Sequence, residues 1–159
     1  MIEAMVGVSV ALMALLGVIT LLTRSLRINA EVGQHFVGTY LAAEGIEVVK
    51  NMIDANYADH CAPWNREIGS RGDQQRYFVD YGSTELKSGD DNLGVLCFSS
   101  QGLYGNAECS KASPSLFWRA LDIKLIDDDH MQVVATVHQD GKEIAQLEDH
   151  FFNWRKCAQ

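Results

Sequence analysis

The chain opens with an almost wholly apolar run, residues 1–22, in which Glu3 carries the only charge. As an α-helix this run is about 33 Å long, against a bilayer hydrocarbon core of about 30 Å. The run therefore predicts a helix that is able to cross a membrane. A cleaved secretory signal is the alternative, but such a segment has a basic start and a shorter apolar stretch than this one.

Helical spacing continues after the apolar run, and no proline interrupts it before Pro63. Apolar residues recur at steps of three and four, which indicates one helix over residues 2–57. One apolar stripe consists of Ala42, Ile46, Val49, Ile53 and Tyr57, and it is widened by Leu41, Val48, Met52 and Ala55. The weak points of this helix are its glycines, Gly7, Gly17, Gly33, Gly38 and Gly45. Gly17 marks a place for local unwinding, unless the glycines serve to let neighbouring helices approach closely.

Short alternating segments separated by turn residues follow the helix, and they predict a sheet. The first two expected strands cover residues 76–81 and 93–98. The hairpin signal Asp140-Gly141 connects the last two expected strands of the chain. One strand face consists of Phe117, Arg119, Leu121, Ile123 and Leu125, and the next of Met131, Val133, Ala135 and Val137; the last strand covers residues 143–150. A long helix followed by consecutive strands predicts an α+β fold, with an antiparallel meander packed on the C-terminal half of the helix.

This pattern divides the chain into three segments: a hydrophobic helix over 1–25, its amphipathic continuation over 26–59, and an extracytoplasmic sheet domain over 60–159. The first thirty residues carry one acidic and two basic side chains, so of the net charge of −8, residues 31–159 carry −9. An acidic domain repels phosphate backbones, so we expect no nucleic-acid binding through it. The basic residues Arg66, Arg71, Arg76 and Lys87 are best explained as a solvated loop.

Four cysteines stand at positions 61, 97, 109 and 157, without a C-x-x-C pair or histidines at zinc-finger spacing. A structural zinc site is therefore poorly supported, and disulfides formed in an oxidising compartment fit better. Three pairings are possible. We favour Cys97 with Cys109, which closes a short loop, and Cys61 with Cys157, which ties the chain end back to the domain. Four free buried thiols are the alternative.

Met1-Ile2-Glu3 at the start of an apolar helix that leads into an antiparallel sheet resembles the type IV pilins and the related pseudopilins of type II secretion. The resemblance is specific only over the first thirty residues. The glutamate of that family is usually the fifth residue of the mature chain, so Glu3 indicates either two residues before Met1 or a different processing site. The helix-breaking proline of many pilins is absent, which leaves Gly17 as the candidate for a flexible stretch.

The resemblance implies that the chain is a structural subunit of an extracellular filament used for attachment, motility or DNA uptake. Glu3 would then pair with the free α-amino group of a neighbouring subunit, at Met1, and so set the register between subunits. The implied partners are copies of the chain itself, a prepilin peptidase, a platform protein and assembly ATPases. The chain would lie in the cytoplasmic membrane before assembly. We expect no enzymatic activity and no cofactor.

Two other functions remain open: a pseudopilin of a secretion system, and a single-span protein whose extracytoplasmic domain binds a partner without polymerising. The run Asp127-Asp128-Asp129 before His130 is interpreted as a turn rather than a cation site. The other histidines, at 35, 60, 138 and 150, show no ligand spacing in the sequence. Three aromatic residues near loops or strand starts, Trp64, Tyr104 and Trp118, are expected in the core rather than in an adhesive patch.

Overall fold

The computed structural model describes residues 2–59, 62–68, 75–89, 91–98, 102–106, 109 and 114–155. One helix, α1 (Ile2–Ala58), precedes all the strands. The strands are β1 (Gln75–Tyr77), β2 (Val95–Phe98), β3 (Tyr104–Gly105), β4 (Pro114–Asp127), β5 (His130–Gln139) and β6 (Lys142–Phe152), and a 3-10 helix covers Asp91–Gly94. The chain forms two compact units, Met1–Phe36 and Val37–Gln159.

The second unit confirms the α+β prediction, because an antiparallel sheet packs on the part of α1 that belongs to it. The sheet order is β3-β2-β4-β5-β6, and β1 also pairs with β4. The three C-terminal strands are a meander in sequence order. The earlier strands are not, since β2 and β1 follow one another along the same edge of β4, at residues 114–118 and 121–123.

The hairpin between β5 and β6 forms where the sequence predicts it. Asp140 and Gly141 both have positive φ, 50° and 77°. A two-residue turn of this kind matches the right-handed twist of the flanking strands. The strand after the turn is longer than predicted, however, and reaches Phe152, which pairs with His130.

The core lies between α1 and the inner face of β4 and β5. All of the predicted inner-face positions of these strands are buried, as are most of the helix stripe. One predicted core position is wrong: Ala55 is exposed and Asn56 is buried. The Asn56 side-chain amide donates to the carbonyl oxygens of Trp64 and Arg66, each at 3.1 Å, so it holds the turn that follows the helix.

Two predicted strands are shorter than expected. The strand predicted over residues 76–81 ends at Tyr77, followed only by a bridge between Phe78 and Lys87. The chain then turns, with the Asp80 backbone N–H donating to the Ser83 hydroxyl at 2.7 Å. The strand predicted over residues 93–98 begins at Val95, because the preceding 3-10 helix carries Gly94 against β4.

We expect Gly94→Ala to destabilise the sheet domain by about 1 to 3 kcal/mol, the usual cost of overpacking. A Cβ atom at this position would lie 2.8 Å from the backbone oxygen of Arg119 and would also overlap the Trp118 ring. Backbone cannot move aside as a flexible side chain does. The check is urea unfolding of the full chain, monitored through tryptophan fluorescence.

Gly82→Ala is the matched control for this prediction, because a Cβ atom there meets nothing within 4 Å. It should unfold at nearly the same urea concentration as the parent chain. Equal unfolding midpoints for Gly94→Ala and Gly82→Ala would show that the close approach of Gly94 to β4 does not contribute to the stability of the domain.

Candidate membrane and assembly segment

The apolar segment, which we define as residues 2–23, is helical throughout, and every one of its residues is exposed in the isolated chain. By length and composition this part of α1 is able to cross a membrane, and a signal sequence would have the same character. Large apolar side chains point outward all along it, from Ile2 with 79% of its surface exposed to Leu22 with 59%. Such a surface is unstable in water, so the segment needs lipid or protein around it.

The uncharged polar side chains of the apolar segment are bonded within their own helix. The hydroxyl of Ser9 donates to the Met5 carbonyl at 2.8 Å, and that of Thr20 donates to the Leu16 carbonyl at 2.8 Å. Thr23 does the same to Ile19 at 2.7 Å. Hydroxyls that are satisfied in this way can enter an apolar environment without a new partner.

Glu3 differs from these residues. It lies in the first turn of α1, where a carboxylate interacts favourably with the helix dipole. Within the part of the chain that the structure describes, no basic group pairs with this carboxylate. Met1, the other predicted assembly residue, lies outside the described residues. Gly17 lies within uninterrupted helix with open space around it, so its role as a flexible point stays a prediction.

The glycines of α1 fall into two groups. A Cβ atom at Gly7, Gly17 or Gly33 would meet nothing. In the second unit, a Cβ atom at Gly38 would lie 3.0 Å from Ile144 Cγ1, and one at Gly45 would lie 3.0 Å from a Leu121 methyl group. Here the glycines allow the sheet, rather than another helix, to approach closely.

The predicted bridge between Cys97 and Cys109 is present. It joins β2 to the segment after β3, and Cys97 is buried. Cys61 and Cys157, the second predicted pair, lie outside the described residues. A disulfide in this domain agrees with an oxidising compartment.

Arg119 is a buried cation. The alternation of residues in its strand predicted that it lies on the inner face, but it did not predict its partners. Arg119 is 2% exposed. Its guanidinium donates to the carbonyl oxygens of Leu41 and Val79, both at 2.8 Å, and to the Glu44 carboxylate at 2.9 Å. One side chain therefore ties the helix, β4 and the segment after β1 together.

The three aromatic residues expected in the core differ in position. Trp64 is buried, and its indole N–H donates to the Asp128 carbonyl at 3.1 Å. Tyr104 packs edge-on against Phe117 at the border of the core. Trp118 is half-buried on the outer face of the sheet.

The acidic run before β5 forms a turn, as predicted, with the Asp129 backbone N–H donating to the Asp127 carboxylate at 2.9 Å. Of the candidate basic patch, Arg66 pairs with Asp59 and Arg76 with Asp122. Arg71 lies outside the described residues.

A histidine pair on the outer face of the sheet corrects the sequence interpretation, which found no two histidines at ligand spacing. Nε2 of His130 on β5 lies 2.7 Å from Nδ1 of His150 on β6. Nε2 of His150 lies 2.9 Å from a carboxylate oxygen of Glu148. A count outward from the Asp140-Gly141 turn would have placed the two histidines on opposite faces, because the pairing of β5 with β6 shifts by one residue at Val137/His138.

Two ionisable groups in the described part of the domain have shifted pKa values. Hydrogen bonds from Gln132 and then from His150 lower the pKa of Glu148, which therefore stays ionised at neutral pH. Burial raises the pKa of Tyr57, so its hydroxyl stays protonated. That hydroxyl donates to the Phe152 carbonyl at 3.3 Å and so joins α1 to the end of β6.

Comparisons with family models, curated proteins and solved structures found no match for this chain.

Proposed function

We propose that this chain is a structural subunit of a type IV pilus-like filament that polymerises through its apolar segment. The observation that carries the proposal is the combination of a fully exposed apolar helix, a single carboxylate in its first turn and an α+β domain that follows it. An anchor needs only the apolar helix. The lone carboxylate at Glu3 is what favours assembly over simple anchoring.

The segment suits both states of such a subunit. In the bilayer, Glu3 sits near the interface, where a carboxylate is less costly than at the membrane centre. In a filament, the apolar segments of neighbouring copies cover one another and exclude water. One helix face meeting a different face of the next copy is a heterologous contact, which propagates into an open helical polymer.

Glu3 then needs a partner, because an ionised carboxylate buried without one costs several kcal/mol. The α-amino group of a neighbouring subunit supplies the opposite charge. An axial slip would leave both charges buried and unpaired, so the pair sets the register. Before assembly the chain lies in the cytoplasmic membrane, and a prepilin peptidase, a platform protein and assembly ATPases act on it.

We expect Glu3→Ala to abolish filaments while leaving the amount of the chain in the membrane unchanged. The measurement is electron microscopy of material sheared from cells, with mass spectrometry of the fibres to show that this chain is their main component. Glu31→Ala is the matched control, because Glu31 is an exposed carboxylate farther along the same helix. It should yield filaments as the parent chain does.

The outcomes separate the candidate functions. Normal filaments from Glu3→Ala would end the register role of Glu3. Absence of the chain from every fibre, with the protein present in the membrane, would leave a non-polymerising single-span protein. Short polymers found only with a secretion machine would identify a pseudopilin instead.

A further inference from the structure

We propose that His130 and His150 form a binding site for a divalent transition-metal ion, with Cu²⁺ preferred over Ni²⁺ and Zn²⁺. The site lies on the outer face of the sheet, away from the apolar segment in sequence, and it does not depend on the filament proposal. Two ring nitrogens already face one another across adjacent strands, at 2.7 Å.

The protonation of the pair follows from its neighbours. The Glu148 carboxylate is only an acceptor, so Nε2 of His150 carries the proton and its Nδ1 has a free lone pair. In the absence of a metal, Nε2 of His130 donates to that lone pair. A metal ion takes this proton's place, and the His130 ring then carries its proton on Nδ1 instead.

The surroundings hold both rings in place. His130 stacks on Phe152, with ring centroids 4.4 Å apart and 15° between the planes. Glu148 accepts from both His150 and Gln132, so the His150 ring cannot turn freely. A carboxylate on the second nitrogen of a metal-binding histidine is the usual outer support of such sites.

The spacing that the two nitrogens need depends on the geometry of the metal ion. Two nitrogens about 2.0 Å from one ion lie about 2.8 Å apart at a right angle, and about 3.3 Å apart in a tetrahedron. The observed 2.7 Å is the length of the hydrogen bond in the metal-free pair, so it does not select an ion by itself. Cu²⁺ is expected because it is the ion that nitrogen ligands bind most tightly.

The remaining coordination positions are open to water. His150 is 39% exposed and His130 is half-buried, so an ion reaches both rings from solvent. Among the described residues no third histidine, cysteine or carboxylate completes a cluster of three metal ligands. The carboxylate of Glu148 and the acidic residue Asp127, opposite His130, favour a cation here, and Lys124, opposite Gln132, opposes it.

The test is a competition titration of the full chain in detergent, without an affinity tag, against a colorimetric indicator with Cu²⁺, Ni²⁺, Zn²⁺ and Mg²⁺. We expect binding in the order Cu²⁺, Ni²⁺, Zn²⁺, and none of Mg²⁺, which prefers oxygen ligands. His130→Gln and His150→Gln should each weaken Cu²⁺ binding by about a hundredfold or more, since losing only an outer support costs about 10- to 100-fold.

His138→Gln is the matched control, because His138 lies on the same face of the same strand and packs on Trp118. It should bind Cu²⁺ as the parent chain does. Glu148→Gln should weaken binding about tenfold and leave the two-nitrogen electron paramagnetic resonance pattern of Cu²⁺ intact. Cu²⁺ should raise the unfolding temperature only in chains that keep both histidines.

Equal affinity in the parent chain and the His130→Gln variant would overturn the proposal. So would a loss in His138→Gln as large as in His150→Gln, or a one-nitrogen pattern in the parent chain. Neither His130 nor His150 belongs to the core, so these variants keep the fold, and the unfolding curves without metal verify this.

Discussion

Replacing Arg119 by alanine is expected to lower the free energy of unfolding of the sheet domain by about 3 to 5 kcal/mol. The substitution opens a cavity in the core, leaves the Val79 carbonyl oxygen without this donor, and removes the additional donor of the Leu41 carbonyl oxygen, which keeps its backbone bond within α1. A buried acceptor that loses its partner costs about 1 to 3 kcal/mol. The Glu44 side chain is 35% exposed, so water solvates part of its carboxylate when Arg119 is removed. The loss of this ion pair therefore adds less to the destabilisation.

Urea unfolding of the full chain in mild detergent measures this loss. Tryptophan fluorescence reports on the sheet domain, because all three tryptophans follow the helix in the sequence. Lys124→Ala, an exposed change on the same strand, should leave the midpoint almost unchanged. Arg119→Met should fall between the two, because methionine fills the space without supplying donors. If Arg119→Ala and Lys124→Ala unfold at the same urea concentration, the buried arginine does not stabilise the domain.

Removal of the Cys97–Cys109 bridge is the second large effect, with an expected loss of about 3 kcal/mol. The bridge closes a loop with a sequence separation of 12 residues. Without it the unfolded chain gains conformational freedom, which favours unfolding. The measurement is again urea unfolding, under oxidising conditions, for Cys97→Ala, Cys109→Ala and the double variant.

The two single variants serve as controls for one another. Either change breaks the same bridge, so each single variant and the double variant should lose a similar amount. Losses that add up in the double variant would show that packing, rather than the bridge, carries the effect. A double variant as stable as the parent chain would contradict the prediction.

The helix and the hairpins were predictable because their causes are local. The spacing of Ala42, Val49 and Ile53 marks the buried side of α1 whatever packs against it. Asp140-Gly141 forms its turn because these two residues tolerate positive φ. The Cys97–Cys109 pair was also within reach, since its loop is short.

Other features were not predictable, because they depend on residues distant in sequence. Asn56 is buried and Ala55 is exposed, the reverse of the prediction, because the Asn56 side-chain amide binds the turn that follows the helix. Arg119 was expected on the inner face of its strand, but its carbonyl partners lie 78 and 40 residues away. The spacing of residues within one strand gives no information about partners so far away in the sequence.

The sequence by itself determined an apolar N-terminal helix with one acid in its first turn, an amphipathic continuation and an antiparallel sheet, because spacing and turn chemistry are properties of neighbouring residues. The tertiary structure alone decided that β2 and β1 share an edge of β4, that Arg119 joins three segments, and that His130 meets His150. These depend on strand register and on packing between distant segments, where small shifts change every contact.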